Sequence, residues 1–262
     1  IRFGIREYSY EISVAQPENK MWRVEFNPLK AAGKVLFNTI DRIELGNGTA
    51  LPQLSAAADP SLFTSINKNS DNPFLVIKVN GVPVFCKGGN WGMDDAMKRV
   101  SRERLEPCFK LHRDANFNMI RNWTGESTEE LFYDLCDEYG MLVWNDFWLS
   151  TEGYNLNVND NQLFMSNATD VVKRFRNHPS IAIWCPRNEG YAPVDLETRL
   201  QSLIATEDGT RLYQPNSRYL NLRPSGPWQF YPDPADYIKD VGGFNTEIGI
   251  PSVPTKDRKS DM

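Results

Sequence analysis

The stretch STEELFYDLCDEYGMLVWNDFWLS, residues 127–150, decides how the rest of the chain is read. Ser127-Thr128-Glu129-Glu130 has the spacing of a capping box, and Phe132, Leu135, Cys136 and Tyr139 follow at helical spacing up to Gly140. A helix with one buried face is therefore predicted. The run MLVWNDF comes at once after it and opens as a continuous apolar segment, the pattern of a strand covered on both faces in a parallel sheet.

The pattern continues on both sides. Upstream lie GGNW at 88–91, a helical stretch from about Ser101 to Ala115, and the short run NMIRNW at 118–123. Downstream, a helix through Phe164, Ala168, Val171, Val172 and Phe175 leads into SIAIWCP at 180–186. A fourth helix starts near Asp195 and carries Leu196, Leu200, Leu203 and Ile204 inward, and SRYLNL and GGFNTEIG read as further strand-like runs. Repeated strand–helix units mean either a doubly wound sheet or a (β/α)8 barrel. Periodicity does not choose between them.

Ahead of these units, LVIKV and VPVFC flank Asn80-Gly81, the dipeptide that favours a type I′ hairpin. Up to about Pro73 the chain is richer in short β-like pieces, WRVEF, KVLFNTI and RIELGNGT with its Asn47-Gly48 turn signal. Leu51–Asn72 is polar with scattered Pro, Ser and Asn, and it reads as a surface excursion. Residues 13–73 are thus expected to be a linker or β-rich insertion, and 74–262 to hold the strand–helix repeats.

Composition removes several functions. A net charge of -5 with both signs interleaved offers no basic stripe for a phosphate backbone, so nucleic acid is not an expected partner. No apolar run is long enough to span a bilayer, so no membrane association is expected. The first residues, IRFGIREYSY, lack signal-peptide regions, which puts any export signal upstream. Cys86, Cys108, Cys136 and Cys185 are far apart, without CxxC or zinc spacing, and are expected as buried free thiols. The two histidines, His112 on an apolar helical stripe and His178 in RNHPS, suit hydrogen-bonded structural roles. Acid–base chemistry then falls to carboxylates. Neither GxGxxG nor GxxxxGK[ST] occurs.

The strand ends favour the barrel. They carry Gly88-Gly89-Asn90-Trp91, Arg121-Asn122-Trp123, Asn145-Asp146-Phe147-Trp148, Arg187-Asn188-Glu189 and Asn245-Thr246-Glu247. Barrel enzymes place their working groups at the carboxyl ends of strands. Carboxylates, amides, guanidiniums and tryptophans converging there suit a saccharide, whose apolar face stacks on aromatics while its hydroxyls take polar groups. Each residue also has a structural alternative. Trp91, Trp123 or Trp148 could be packing, Asp146 a loop cap, and Arg121 half of an ion pair.

At these ends the sequence resembles glycoside hydrolase family 2, retaining barrel glycosidases that include β-galactosidases, β-glucuronidases, β-mannosidases and exo-β-glucosaminidases. The motifs NGVPVFCKGGNW, FNMIRNWTGE, LFYDLCDEYGMLVWNDF, RNHPSIAIWCPRNEG and FNTEIG occur in the family's order. FGIRE, residues 3–7, is similar to the end of the family's immunoglobulin-like domain, which assigns 1–12 to that domain. The first three motifs lean towards the β-mannosidase and exo-β-glucosaminidase branch. The resemblance makes Glu189 the acid/base and Glu247 the nucleophile. It gives Asn188 the sugar's 2-hydroxyl or 2-amino group, gives Arg121 the task of keeping the nucleophile ionised, and implies neither metal nor cofactor. Some exo-β-glucosaminidases have Asp at the position of Glu189, which favours a neutral sugar such as a β-mannoside here, whereas WTGE replaces the mannosidases' usual glycine-rich turn and points the other way.

The implied activity is exo-acting hydrolysis of terminal β-mannosyl or β-glucosaminyl residues with retention. A periplasmic or secreted location, with further domains of the parent chain as partners, would suit a polysaccharide-degrading protein. The last strand and helix of a (β/α)8 barrel are not evident before KDRKSDM, so the barrel is expected to be incomplete. That leaves a non-catalytic carbohydrate-binding or scaffold fragment as the alternative.

Overall fold

A computed structural model describes residues 4–44, 50–66, 73–92, 97–150, 158–228, 231–237, 239 and 242–249. The Asn47-Gly48 turn lies outside them. An antiparallel sheet comes first, built on Tyr8–Gln16 (β1) and Lys20–Phe26 (β2). Phe37–Asn38 (β3), Ser55–Ala56 and Phe63–Ser65 extend it, while Arg42–Glu44 (β4) and Ala50–Pro52 (β5) form a separate ribbon. Leu51–Asn72 is thus not a plain excursion in its described part. Leu54 and Phe63 are buried in one cluster with Phe26 and Phe37, and that apolar burial draws the segment onto the sheet as Ser55–Ala56 (β6) and Phe63–Ser65 (β7).

The hairpin forms as expected, with Val76–Val79 (β8) and Val82–Val84 (β9) joined through Asn80 at φ 51° and Gly81 at φ 78°. It pairs with β1, so the strand–helix repeats begin only after it.

Gly88–Trp91 (β10), Met119–Asn122 (β11), Leu142–Leu149 (β12), Ile181–Arg187 (β13) and Leu212–Tyr213 (β14) make a five-stranded parallel sheet in that order. Arg102–Asp114 (α1), Glu130–Tyr139 (α2), Asn161–Phe175 (α3) and Val194–Leu203 (α4) connect the strands. Ile120, Val143, Phe147 and Trp184 face the helices and bury Phe109, Phe132, Val172 and Leu200. Met119, Trp144, Ile183 and Cys185 face the other way and share a core with Tyr8, Tyr10, Ile12 and Ile77. Tyr8 Oη donates to Pro179 O at 2.8 Å and Tyr10 Oη to Ala182 O at 2.6 Å. These acceptors stand at the start of β13, so the antiparallel sheet covers the amino-terminal ends of the parallel strands. Their carboxyl ends are left for the polar clusters.

Several local expectations change. The capping box does not form: α2 begins at Glu130 without a side-chain cap, because Ser127 is tied to the strand end by Asn122, which accepts from its N at 3.0 Å and donates to its O at 2.8 Å. The strand after α4 is β14, not SRYLNL. Asn216 Oδ1 accepts from Arg218 N at 2.8 Å and Tyr219 N at 2.5 Å, and Leu220 and Asn221 have φ of 59° and 71°, which turns the chain instead of extending it. GGFNTEIG forms no strand among the described residues: it makes one isolated bridge, Asn245 to Arg223, and backbone hydrogen bonds from Gly226 N to Glu247 O and from Gly249 N to Pro227 O. Among the described residues the sheet does not close on itself, and a cavity of about 890 Å³ is lined by Gly88 and Gly89 of β10 and by residues 242–246 and Ile248.

Candidate active site

The pleat decides which strand-end residues meet. Asn90, Arg121 and Trp144 are in register and share the inner face, while Trp91, Asn122 and Asn145 share the face towards the helices. Arg121 is buried and bonded on every side. Its Nε and Nη2 donate to Asp146 Oδ2 at 3.0 and 2.6 Å, Nη2 also donates to Asn188 Oδ1 at 2.7 Å, and Nη1 donates to Glu247 Oε1. Burial alone would lower the guanidinium's pKa, but Asp146 and Glu247 outweigh it and hold it above its ordinary value.

Asp146 is fully occupied within the protein. Besides Arg121 it accepts from Thr124 N at 3.1 Å and Trp144 Nε1 at 2.8 Å. Thr124 at φ 49° and Gly125 at φ 65° make the tight turn that aims this amide. A Cβ on Gly125 would stand 2.6 Å from Asp146 O, so only glycine fits.

Glu247, also buried, takes a second donor on Oε1 from Trp123 Nε1 at 3.2 Å. Asn245 Oδ1 accepts from its backbone N at 2.9 Å. Glu189 is buried with φ 49°, a left-handed conformation that a non-glycine residue holds only where its surroundings impose it. Its N donates to Ser217 Oγ at 2.9 Å, and its Oε2 lies 3.5 Å from Arg218 Nη1. Ser217 joins the two glutamate segments, since it also donates to Asn188 Oδ1 at 3.3 Å and accepts from Thr246 Oγ1 at 2.5 Å through its carbonyl.

Arg121, Asp146, Asn188, Glu247 and Trp123 are therefore gathered, with Glu189 tied in through Ser217. Trp91 and Trp148 are not among them. Trp91 packs on Phe109, His112 and Phe132 because the pleat turns it towards the helices, and Trp148 packs on Phe147 and Phe164 because the register of β12 shifts between Asp146 and Leu149. Ser217 and Arg218 were missed, and the turn-forming Pro215-Asn216-Ser217 was the signal for them. The histidines take structural bonds, His178 Nδ1 to Asp137 at 2.8 Å and His112 Nδ1 to Cys108 O at 2.7 Å. All four cysteines are free; Cys136 and Cys185 are buried, and Cys86 and Cys108 half-buried.

Carboxylates beside an arginine and an amide thus gather at the carboxyl ends of parallel strands, where barrel enzymes hold their working groups. Residues 74–223 match the family described as Glycosyl hydrolases family 2, TIM barrel domain, and the chain belongs to that family. It is 35% identical over 223 residues to the mannosylglycoprotein endo-beta-mannosidase of Lilium longiflorum, covering 68% of this chain and 23% of that protein. It is 34% identical over 163 residues to the beta-mannosidase of Mus musculus, covering 62% of this chain and 16% of that protein. The chain thus spans less than a quarter of the length of either relative. In fold it resembles the beta-D-mannosidase of Dictyoglomus thermophilum, with a TM-score of 0.62 at 22% identity over 98% of this chain and 38% of that one. It also resembles the exo-chitosanase CsxA of Amycolatopsis orientalis, with a TM-score of 0.62 at 14% identity over 100% of this chain and 40% of that one.

Proposed function

We propose that this chain carries the active site of a retaining β-glycosidase acting on terminal β-mannosyl residues, within a (β/α)8 barrel of which five strands are described. Glu247 is the nucleophile and Glu189 the acid/base. Glu247 attacks the anomeric carbon while Glu189 protonates the departing oxygen; Glu189 then takes a proton from water, which releases the glycosyl-enzyme with retention. The observation that carries the proposal is the bonding of Arg121, whose guanidinium links Glu247 to Asn188 and is itself aimed by Asp146. A buried guanidinium bonded to one oxygen of the nucleophile fixes its position and leaves the second oxygen for the sugar.

The choice of a mannoside over a glucosaminide follows the relatives, two of which are named as mannosidases.

The test is a panel of aryl β-mannosides and β-glucosaminides on the full-length protein, followed by trapping with a 2-fluoro sugar. Nitrophenol release should be faster from the mannoside, label should sit on Glu247, and Glu247→Gln should lower kcat at least about a thousandfold. Label on another residue, or turnover surviving Glu247→Gln, would overturn the mechanism. The sheet's unclosed edge favours one alternative, a carbohydrate-binding fragment; saccharide binding without any nitrophenol release would establish that reading instead.

A further inference from the structure

We propose that Arg218 binds the departing sugar, and that the N-terminal β-rich segment helps to place it through Arg42. The inference rests on Glu189 being the acid/base. In that role its carboxyl group touches the glycosidic oxygen, so a side chain 3.5 Å from Oε2 stands beside the sugar that leaves. Arg218 is that side chain. About a third of it (35%) is exposed, and its Nε is buried without a hydrogen-bond partner among the described residues.

The guanidinium is held by stacking more than by hydrogen bonds. It lies 5.4 Å from the centroid of Tyr219, which stacks on Tyr191 at 5.9 Å and 16°. Tyr191 in turn carries Arg42 at 4.5 Å, and its backbone carbonyl accepts from Arg187 Nη1 at 2.9 Å at the end of β13. Arg42, in β4, is fixed by Nη1 donating to Thr39 O at 3.2 Å and Asp41 O at 2.9 Å. A continuous series of planar groups therefore runs from the N-terminal segment to the acid/base: Arg42, Tyr191, Tyr219, Arg218, Glu189. Planar guanidinium–aromatic stacks limit rotation while leaving the N–H edge open to a ligand.

A separation of 3.5 Å is long for a charge-assisted bond, so Arg218 exchanges it at little cost for a hydroxyl of the leaving sugar. The ligand class is a neutral saccharide with hydroxyl acceptors. A leaving group without hydroxyls, such as fluoride, gains nothing from it.

The experiment compares β-mannosyl fluoride with a β-linked mannosyl disaccharide in the unaltered protein, Arg218→Ala and Arg42→Ala. The ratio of kcat/KM, disaccharide over fluoride, should fall about tenfold to a hundredfold in Arg218→Ala, chiefly through KM, and a few-fold in Arg42→Ala. Thermal melting confirms that each variant is folded, and Arg42→Ala serves as the independent variant should Arg218→Ala not fold. A ratio that stays constant in both overturns this inference alone. An unaltered protein that cleaves neither substrate overturns the hydrolytic proposal, and the leaving-group site with it.

Discussion

Glu247 receives two donors on one oxygen, from Arg121 and Trp123, and its guanidinium partner is clamped by a second buried carboxylate, Asp146. Glu189, in the neighbouring loop, faces its guanidinium across 3.5 Å, and that guanidinium is about a third exposed and held by aromatic stacking. Both carboxylates are buried. The first pairs with a buried guanidinium, the second with one that is about a third exposed. A nucleophile must hold one position and take no proton through the cycle, whereas an acid/base must change protonation twice and admit first a leaving sugar and then water. The contrast in bonding matches that division of labour.

The clamp is the place to break the comparison hardest. Arg121→Met leaves Asp146 and Glu247 buried without their cation, which costs on the order of 3–5 kcal/mol in stability and should nearly abolish turnover. Urea unfolding measures the first and nitrophenol release the second. A variant that unfolds at the unaltered midpoint would mean that the guanidinium does not organise the cluster. Asp146→Asn should be milder in stability, since it removes the charge and keeps an acceptor for Trp144 Nε1.

The Glu189 side should respond more gently and be open to rescue. Glu189→Gln is expected to lower kcat by about 10²–10⁴-fold on a substrate with a poor leaving group and much less on the fluoride, which needs no proton. Azide should then restore turnover and give a β-glycosyl azide, because on the proposed mechanism the space beside Glu189 admits water and so a small anion. Equal losses on both substrates, with no azide product, would erase the distinction between the two glutamates.

Much of this was legible in the sequence, and the failures have local causes. The continuous apolar strands and the helices at 3.6-residue spacing marked the parallel units, and the poverty of histidine pointed to carboxylates. Register was not legible. Trp91 and Trp148 end strands as Trp123 follows one, but side-chain direction alternates along a strand, and only the pairing of Trp91 with Asn122 shows that it faces α1 and α2. SRYLNL has strand-like composition, yet the Asn216 side chain captures two backbone N–H groups and turns the chain, which is what sets Arg218 against Glu189. A local hydrogen bond overrode the pattern there, and the place of Arg218 was hidden with it.

The smallest expected effect concerns how the N-terminal segment is attached. Glu197, in the first turn of α4, is buried and accepts from Thr39 Oγ1 at 2.6 Å and Tyr213 Oη at 2.9 Å. Burial raises its pKa to about 7, against the two hydrogen bonds and Arg42, which act to lower it. A carboxyl whose folded pKa lies above its unfolded value binds its proton more tightly in the folded state. Its contribution to stability is therefore complete below about pH 4.5 and is lost as pH rises towards 7. Glu197→Gln removes the ionisation and keeps groups that can bond both hydroxyls. The Tm of the variant relative to the unaltered protein should consequently rise by several degrees between pH 5 and pH 8, at about 2–4 °C for each kcal/mol. A pH-independent difference would show that Glu197 stays protonated throughout, or that the contact with Thr39 opens before the carboxyl ionises. In the second case hydrogen exchange around residues 37–44 would rise with pH, and the loss would reach Arg42 and the stack behind Arg218.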